Sequence, residues 1–600
     1  MKLRNARLTG SAAAAAALAL VLGTVLMGAA LAQESPSTSQ KQTFTVGLTA
    51  DIVSPNPFKA CCGSEYEMMF MAYDQLLNFS KKDLTAAPGL ATSWQHNDDY
   101  TKWTFDIRDG VSWSDGQPLT SEDIAFTYRF IVDNGMGAFN DYLPFDPTFE
   151  TPDDTTLIWK SSEPTFAPTV PPWVPILPEH VWSEFDGDAK AAKEFDNVPA
   201  VGSGPFTLEE WKEGQFWRME ANKSYWGGAP AIDEVIFRVF DNPEAMVQGL
   251  NAGEIDFAEA VPPALFNSLQ GQPDIETHVA SPSYFYNFAF NFGSPDQPND
   301  THLPAIADLP FRQAIAHAID KQALVDRVLL GNGTAGDSVT LPTSPWYYDV
   351  PADQEQAFDL EESKRILEDA GYTDSDGDGV REDPKTGDPL VLDVLTINGR
   401  DYSQPSGKLI SGWLKQIGVE MNIRPVSISK GYDIYYDGDY DAYIWGWGGD
   451  PDPNFILSIF TTQSCLVWSD GCYSDPSYDQ MFEEQRGLID PAERRPVTDE
   501  MQQFLYDQVP EVVLFYEQDL QAYRSDAFTG FVPQPEPDGA FLFQFGAYSY
   551  MNLRPSGGGG GSSGGSSGIP TGVWLGIGAA IIVIVGIVVL VRRRSEEDRA

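Results

Sequence analysis

The residues best suited to hold a charged ligand lie between positions 443 and 455, in the segment YIWGWGGDPDPNF. Its glycines allow the backbone to approach a ligand closely, and Trp445 and Trp447 provide flat apolar surfaces. Asp450 and Asp452 add negative charge, and the prolines beside them stiffen the loop. We interpret this segment as a ligand-binding site. A strand end that carries core tryptophans is the structural alternative.

The residue patterns of enzymes are missing from the sequence. Gly202-Ser203-Gly204 lacks the spacing of a nucleophile elbow and indicates a tight turn ahead of a strand. Residues 331–336 fit G-x-G-x-x-G by letter, but they follow a predicted helix, whereas a dinucleotide fingerprint follows a strand. The histidines show no metal-ligand spacing; they are His96, His180, His278, His302 and His317. We therefore expect neither catalysis nor a cofactor.

One acidic loop has half of a calcium-binding pattern. Asp374, Asp376 and Asp378 alternate along the chain, and a glycine follows at the position of the sharp turn. A complete calcium loop carries a bidentate glutamate at its twelfth position, where this chain has Lys385. We favour a hairpin bend without a metal and keep these three aspartates as the candidate cation site.

The N-terminus has the pattern of a secretory signal over residues 1–32. Basic residues precede the apolar stretch Ala12–Leu26, and Ala30-Leu31-Ala32 fits a small-x-small cleavage site. No cysteine lies near that site, so the sequence does not predict an N-terminal lipid anchor. We expect the chain to be exported.

The C-terminus has the pattern of a membrane anchor. Residues 569–591 form the predicted transmembrane helix, and their stretch without charge from Thr571 to Val591 is long enough to cross a hydrocarbon core of about 30 Å. Arg592-Arg593-Arg594 follows at once and places the tail, residues 592–600, in the cytoplasm. A Gly/Ser linker at 556–568 precedes the span and behaves as a flexible tether. We expect a single-pass cell-membrane protein whose N-terminal part is extracytoplasmic.

The charge and hydrophobic content of the chain limit the kinds of ligand that it can bind. The formal net charge of −49 argues against nucleic acid, because phosphate binding needs clustered Lys and Arg. Such acidity favours cationic ligands in a general way, but solubility in a salty habitat is the simpler explanation. The hydrophobic content of 42% is ample for two or three domains.

The stretch Ala91–Tyr128 carries the most specific pattern in the chain. Alternating apolar residues predict a β-hairpin, and Thr120-Ser121-Glu122-Asp123 predicts the capped start of a helix. Its Arg-Asp-Gly-Val-x-Trp and x-Asp-Gly-x-Pro-Leu-Thr elements resemble the signature of family 5 solute-binding proteins, the peptide- and nickel-binding partners of ABC importers. Further segments resemble the same family: Gly202–Phe206, Tyr225–Gly228, Leu250–Asp256 and Arg312–Asp320.

Strands and helices alternate along the chain, which predicts an α/β fold with mixed sheets. The resemblance implies a two-lobed periplasmic-binding-protein-like fold with a hinge, a discontinuous first lobe and an inserted subdomain. The expected divisions are a signal peptide 1–32, first lobe 33–59, 197–286 and 526–555, inserted subdomain 60–196, second lobe 287–525, linker 556–568, transmembrane helix 569–591 and tail 592–600.

The resemblance also assigns site residues. In peptide-binding relatives a Gly-Trp-x-x-Asp element borders the cleft, and its aspartate holds the α-ammonium of the peptide. These roles fall on Trp447 and Asp450, with Asp452 as the alternative because the spacing after Asp450 is shorter. The loop with Cys61, Cys62 and Gly63 follows the first strand, where relatives line the cleft.

The remaining cysteine assignments depend on export to an oxidising compartment. Cys465 and Cys472 enclose a short loop, some family members carry a comparable pair there, and we expect a disulfide. For Cys61 and Cys62 a vicinal disulfide, two thiols and a metal site stay open.

We conclude from the sequence that the protein is an extracytoplasmic, monomeric substrate-binding protein. It would bind a short peptide, or a related small solute, between two lobes and deliver it to an ABC permease with its ATPase. A membrane-tethered sensor or adhesin with the same fold is the main alternative, because a C-terminal span is unusual for an importer's receptor. A membrane-tethered enzyme is disfavoured by the absence of a catalytic pattern.

Overall fold

A computed structural model describes residues 41–59, 63–136, 139, 143, 146–165, 174–294, 297–298, 303–466, 469–542 and 544–556. The predicted signal peptide, Gly/Ser linker, transmembrane helix and cytoplasmic tail lie outside these residues, apart from Ser556 of the linker. Within these ranges, no helix combines the length and the apolar character that crossing a bilayer requires.

The strands, numbered in chain order, are as follows. They are β1 (Thr43–Leu48), β2 (Leu77–Phe79), β3 (Ala86–Pro88), β4 (Ala91–His96), β5 (Lys102–Ile107), β6 (Thr148–Asp153), β7 (Thr156–Lys160), β8 (Phe206–Lys212), β9 (Phe216–Ala221), β10 (Glu234–Val239), β11 (Phe257–Ala258), β12 (Ile275–Phe290), β13 (Gly293–Ser294), β14 (Gln297–Pro298), β15 (Gly333–Ala335), β16 (Val391–Ile397), β17 (Glu420–Val426), β18 (Ala442–Gly448), β19 (Glu511–Arg524), β20 (Phe528–Thr529) and β21 (Arg554–Pro555).

The α-helices are numbered in the same way. They are α1 (Gly63–Ala72), α2 (Ser121–Asn134), α3 (Glu179–Trp182), α4 (Ala189–Glu194), α5 (Pro243–Ala252), α6 (Pro263–Leu269), α7 (Leu309–Ala318), α8 (Lys321–Arg327), α9 (Leu360–Asp369), α10 (Ser403–Leu414), α11 (Ile428–Asp437), α12 (Asn454–Ser458), α13 (Pro476–Gly487), α14 (Pro491–Gln508) and α15 (Tyr548–Asn552).

A mixed sheet of 11 strands runs through the described part of the chain. Its order is β17-β16-β18-β12-β19-β11-β1-β10-β9-β8, and β15 pairs with β19 beside this path. β1 runs parallel to β10 and β11, and β16 runs parallel to β17 and β18, whereas β12 and β19 are antiparallel to each other. The predicted α/β class with mixed sheets is confirmed.

The two long strands β12 and β19 connect the two ends of this sheet. The first half of β12 pairs with the second half of β19, next to β11, and the second half of β12 lies between β19 and β18. Between these halves the register shifts, so that Ser281–Ser283 face only Gln518. Pro282 has no N–H to donate, which interrupts the ladder at this point.

Two large hydrophobic cores lie on either side of this shift. The first core packs β1, β8–β10, α1, α2 and the hairpin β4–β5 with the closing segment around α15. The second core packs the second half of β12 and the first half of β19 with β16, β18 and the helices α7, α10 and α14. A smaller core joins α5 and α6 to β11.

The segment with the specific sequence pattern forms the predicted elements. β4 and β5 pair as an antiparallel hairpin within a four-stranded sheet, which β7 and β6 complete. Thr120 caps α2 through the backbone N–H of Glu122, while the Asp123 carboxylate accepts the N–H of Thr120. These reciprocal bonds satisfy donors that the first turn of a helix leaves unpaired.

The tight turn at residues 202–204 is required by packing. A Cβ atom on Gly202 would lie 1.9 Å from the carbonyl oxygen of Ala72, and one on Gly204 would lie 2.4 Å from that of Met71. Only glycine permits this approach to the end of α1, so this motif is structural and precedes β8 as predicted.

Residue patterns in the sequence predict a helix over 310–330, a second helix from about Ser406 and a strand over Glu511–Tyr516, and all three elements have different bounds in the structure. The helix expected over 310–330 is divided into α7 and α8, because the Asp320 carboxylate accepts the N–H of Ala323 and starts a new helix. The helix expected from Ser406 begins at Ser403, so Pro405 lies in its first turn, where a proline is tolerated. β19, expected to end at Tyr516, continues to Arg524.

Candidate functional site

A cleft lies at the register shift, between the two large cores. The residues that line it come from both sides of the shift. They are Leu84, Ser281–Ser283, Leu341, Thr343–Pro345, Gly449–Pro451, Asp519, Gln534, Pro535, Ala540 and Phe545. Its interior volume of about 40 Å³ holds a few water molecules. A ligand the size of a peptide therefore requires the two sides to move apart.

The loop after β18 is held against the break in β12. The N–H of Gly449 donates a hydrogen bond of 2.8 Å to the carbonyl oxygen of Ser283. A Cβ atom on Gly449 would lie 2.0 Å from Cδ1 of Leu341, so a larger residue would push the loop out of place. This packing fixes the backbone immediately before Asp450, and Asp450 lines the cleft.

Asp452 makes different contacts, although it lies only two residues further along the chain. Its carboxylate receives two hydrogen bonds from the Arg494 guanidinium, Nη1 to Oδ2 at 2.5 Å and Nη2 to Oδ1 at 2.8 Å. Both side chains are largely buried, with 3% of Arg494 and 15% of Asp452 exposed. Oδ1 of Asp452 also accepts the N–H of Asn454 at the start of α12. The Asp452 carboxylate is therefore held in an ion pair within the protein, and the choice between Asp450 and Asp452 as the ligand's partner stays a prediction.

The two predicted tryptophan walls contact protein side chains. Trp447 is half-buried against the second core, and its Nε1–H donates a hydrogen bond of 2.8 Å to Oδ2 of Asp470. Trp445 stacks on Tyr443, with ring centroids 5.3 Å apart. Neither tryptophan is among the residues that line the cleft, and their role as ligand walls stays a prediction.

Sequence reasoning missed a buried polar cluster behind Trp447. The Asn287 amide donates to the carboxylates of Asp470 and Glu511 at 2.8 and 2.7 Å. Burial raises the pKa of Asp470 to about 6, and burial together with the Asp470 carboxylate raises the pKa of Glu511 well above its usual value. A carboxyl pair in this environment retains a proton above the usual range.

Sequence reasoning also missed Asp519, which lines the cleft. The Ser283 hydroxyl donates a hydrogen bond of 2.6 Å to its Oδ2 atom, and burial raises its pKa to about 6. Asp519 follows Glu517 by two positions on β19, and burial raises the pKa of Glu517 to about 7. Two acidic residues at alternate positions after an apolar strand are the signal that could have revealed this part of the site.

The loop after the first strand is only partly described. Cys61 and Cys62 lie outside the described residues, and Gly63 is the first residue of α1. On the same helix the carboxylate of Glu67 is buried and accepts a hydrogen bond of 2.6 Å from the Tyr550 hydroxyl. The assignment of Cys61, Cys62 and Gly63 to the ligand site stays a prediction.

The candidate cation loop contains one more carboxylate than the sequence suggested. Side-chain oxygens of Asp374, Asp376, Asp378 and Glu382 lie within 4.8 Å of one another. These carboxylates accept backbone N–H groups of the loop, such as Gly377 N to Asp374 Oδ1 at 2.7 Å. The cluster is exposed apart from the partly buried Glu382, and the loop forms the expected bend between Thr373 and Glu382, which are bridged to each other.

Cys465 and Cys472 form a disulfide in the structure, with their Cα atoms 4.4 Å apart. The loop that they close includes Asp470, the acceptor of the Trp447 indole N–H. The disulfide therefore constrains the segment that contacts β18 close to the cleft.

The known sequences that match this chain have low identity to it but align with most of its length. The chain is 26% identical over 459 residues to the nickel-binding periplasmic protein of Escherichia coli, an alignment that covers 74% of this chain and 84% of that protein. It is 26% identical over 465 residues to the oligopeptide-binding protein AppA of Bacillus subtilis, covering 74% of this chain and 81% of that protein.

Comparison with solved structures gives the same fold. The structure of AppA from B. subtilis in complex with a nonapeptide matches with a TM-score of 0.72 at 22% identity, covering 86% of this chain and 99% of the other. NikZ from Campylobacter jejuni in complex with Ni(L-His) matches with a TM-score of 0.73 at 19% identity, with the same coverage. These matches confirm the periplasmic-binding-protein-like fold.

The family itself is shown by a match over residues 85–465 to the bacterial extracellular solute-binding proteins, family 5. This range contains the hairpin signature and reaches the loop of Asp450. Proteins of this family bind solutes outside the cytoplasm and are not enzymes, which agrees with the expectation from the sequence. The chain belongs to the bacterial extracellular solute-binding proteins of family 5.

Proposed function

We propose that this protein is the substrate-binding component of an ABC importer and that it binds short peptides in the cleft. The observation that carries the proposal is the position of Asp450, which lines the cleft between the two cores on a loop fixed by Gly449. A carboxylate in an enclosed site suits the α-ammonium of a peptide, because a charge-assisted hydrogen bond is stronger there than in water. Relatives that are named for oligopeptide and nickel binding support a peptide or a related small solute.

The proposed motion is a hinge closure at the register shift. The first lobe comprises residues 33–59, 197–286 and 526–555 with the inserted subdomain 60–196, and the second lobe comprises residues 287–525. β12 and β19 cross between the two cores, and the broken ladder at Pro282 offers little resistance to bending. A ligand that contacts both sides would shift the population toward the closed form.

The protein acts outside the cytoplasm and is held at the membrane by residues 569–591, as the sequence predicts. Its partners are the ligand, an ABC permease and the ATPase of that permease, and the protein works as a monomer. A sensor or adhesin that kept the fold without transport is the second candidate, favoured by the unusual C-terminal span. Permease and ATPase genes beside this gene would favour transport.

The test is calorimetric titration of a mixture of short peptides into wild-type protein and Asp450→Ala. Loss of one partner from a buried charge pair should weaken binding by about 2–5 kcal/mol. Asp450→Asn should show most of this loss, since it keeps the shape and removes the charge. Unchanged affinity in a folded Asp450→Ala protein would refute the assignment, and native mass spectrometry of the purified protein would identify any solute that it retains.

A further inference from the structure

The indole of Trp447 connects the loop of Asp450 to a buried carboxylate. Trp447 lies near the end of β18, just before the loop 449–453 that brings Asp450 to the cleft. The loop leads into α12, where Phe455 packs against Trp447 with ring centroids 6.0 Å apart. The indole Nε1–H donates its hydrogen bond to Oδ2 of Asp470 at 2.8 Å. The orientation of one ring therefore affects both ends of the loop.

The backbone of Asp470 is held in place by its surroundings. The Tyr440 hydroxyl donates a hydrogen bond of 2.9 Å to the carbonyl oxygen of Asp470. A Cβ atom on Gly471 would lie 1.8 Å from the carbonyl oxygen of Phe290, so this backbone is pressed against the end of β12. The disulfide closes the loop that contains Asp470. Because its backbone is fixed, Asp470 can hold the Trp447 indole in one orientation.

A hydrogen-bond network orients the Asp470 carboxylate. Its Oδ2 atom accepts both the Trp447 indole and Nδ2 of Asn287, and the same Nδ2 donates to Oε2 of Glu511. The carboxyl groups of Asp470 and Glu511 also share a hydrogen bond, which requires a proton on one of them. Asn287 is fully buried and each carboxyl residue is 7% exposed, so little solvent is available to replace a lost partner. Removal of the Asp470 carboxylate would leave the indole N–H unsatisfied, which is costly in a buried network.

We propose that Asp470 is a positioning residue for ligand binding, which holds the loop of Asp450 through the Trp447 indole. The inference rests on the proposed function, in which Asp450 anchors the ligand. Asp470 is not among the residues that line the cleft, so its effect on binding has to pass through other residues. Trp447 is the residue that connects it to the loop.

The experiment compares Asp470→Ala with Asp470→Asn at pH 7, by calorimetric titration of the mixture of short peptides. Alanine leaves the indole N–H without its acceptor and should weaken binding about tenfold or more. In Asp470→Asn the amide oxygen can accept the Trp447 indole, and the amide N–H₂ can donate to Glu511 in place of the shared proton. Its affinity should therefore stay within about threefold of wild type. In a Trp447→Phe background, Asp470→Ala should change the affinity by less than about twofold, because the connection is already broken.

Hydrogen–deuterium exchange of the segment 446–450 gives a readout that needs no ligand. The N–H of Gly449 is bonded to the carbonyl oxygen of Ser283 at 2.8 Å, and it exchanges only when this bond opens. The segment should exchange about tenfold faster in Asp470→Ala and in Trp447→Phe, and at the wild-type rate in Asp470→Asn, while β9 stays as protected as in wild type. Trp447→Phe serves as the second variant if Asp470→Ala does not fold.

The matched control is Asp74→Ala, because Asp74 is another buried carboxylate that holds a tryptophan. It accepts the indole N–H of Trp226 at 2.9 Å and the hydroxyl of Tyr225 at 3.0 Å, and it is not among the residues that line the cleft. Asp74→Ala should lower the melting temperature and leave both the peptide affinity and the exchange of the segment 446–450 as in wild type. If Asp470 had only a structural role, the two alanine variants would behave alike.

Wild-type affinity and wild-type exchange in a folded Asp470→Ala protein would overturn the positioning role. So would an Asp470→Asn protein as impaired as Asp470→Ala, or a tenfold penalty that persists in the Trp447→Phe background. If peptides bind and the affinity falls without faster exchange, the peptide assignment stands and the positioning role fails. If wild-type protein binds no peptide while the exchange pattern is as expected, the positioning role stands and the peptide assignment fails.

Discussion

The neighbouring aspartates Asp450 and Asp452 allow a sharp test, because Asp452 is paired with Arg494 whereas Asp450 is the proposed anchor of the ligand. We predict that Asp452→Asn destabilises the fold while leaving the cleft able to bind ligand. The variant keeps one side-chain oxygen but loses the charge that faces the Arg494 guanidinium, whose side chain is only 3% exposed. The new amide N–H₂ group would also place its hydrogen-bond donors against the N–H donors of the guanidinium.

The size of the destabilisation depends on the contacts that Arg494 keeps in the variant. Its Nε–H still donates to Oε1 of Gln485 at 2.8 Å, and its guanidinium lies 4.8 Å from the ring centroid of Trp346. One charge-assisted hydrogen bond, typically about 1.5–3 kcal/mol, is lost, and the carboxylate charge that faces the buried guanidinium is removed. Breaking a buried pair from one side generally costs about 3–5 kcal/mol, and we expect the free energy of unfolding to fall by this amount.

The assay is denaturant unfolding of the purified protein, combined with peptide calorimetry below the transition. Asp450→Asn, with the same chemical change two residues away, is the comparison for ligand binding. Ligand affinity should fall in Asp450→Asn and stay unchanged in folded Asp452→Asn. The double variant Asp452→Leu/Arg494→Met should recover much of the stability, because apolar residues of similar volume often replace a buried pair without loss.

Two results would refute this reasoning. One is an Asp452→Asn protein as stable as wild type, which would mean that the ion pair contributes nothing to the fold. The other is an Asp452→Asn protein of normal stability that no longer binds ligand, which would transfer the anchoring role from Asp450 to Asp452.

Three further predictions concern pH, the disulfide and the membrane. Burial raises the pKa values of Asp74, Asp470 and Asp519 from 3.8 to about 6. Between these two pH values the folded state therefore binds more protons than the unfolded state. Stability should rise as the pH falls from 8 to 5, by about 1 kcal/mol for each group. Calorimetric melting at several pH values checks this, with a shallower slope expected for Asp470→Asn; stability that falls steadily over this range would contradict it. Peptide mapping without reductant should show Cys465 linked to Cys472, and replacing both by serine should cost about 2–3 kcal/mol if loop closure dominates; free thiols at both positions would rule out the bridge. Full-length protein should pellet with membranes after carbonate extraction because of residues 569–591, whereas release into the supernatant would exclude the predicted span.

Local features of the fold could be predicted from the sequence because their partners are near in the chain. The capping box of Thr120 and Asp123 depends on residues three positions apart, and Asp359 caps α9 through the next few backbone N–H groups. The resemblance to the family likewise rests on contiguous motifs, such as the hairpin signature between Ala91 and Tyr128. The candidate Asp450 came from the same kind of local pattern.

The ion pair of Asp452 could be found only in the tertiary structure. Asp450 and Asp452 sit in the same Asp-Pro repeat, and the partner of Asp452, Arg494, lies 42 positions away in the chain. Asp519 likewise faces the cleft because β19 extends across the register shift and meets Ser283, 236 positions away in sequence. A carboxylate acquires a structural or a binding role through whichever group reaches it, and in a fold with long strands crossing between two cores that group comes from distant sequence.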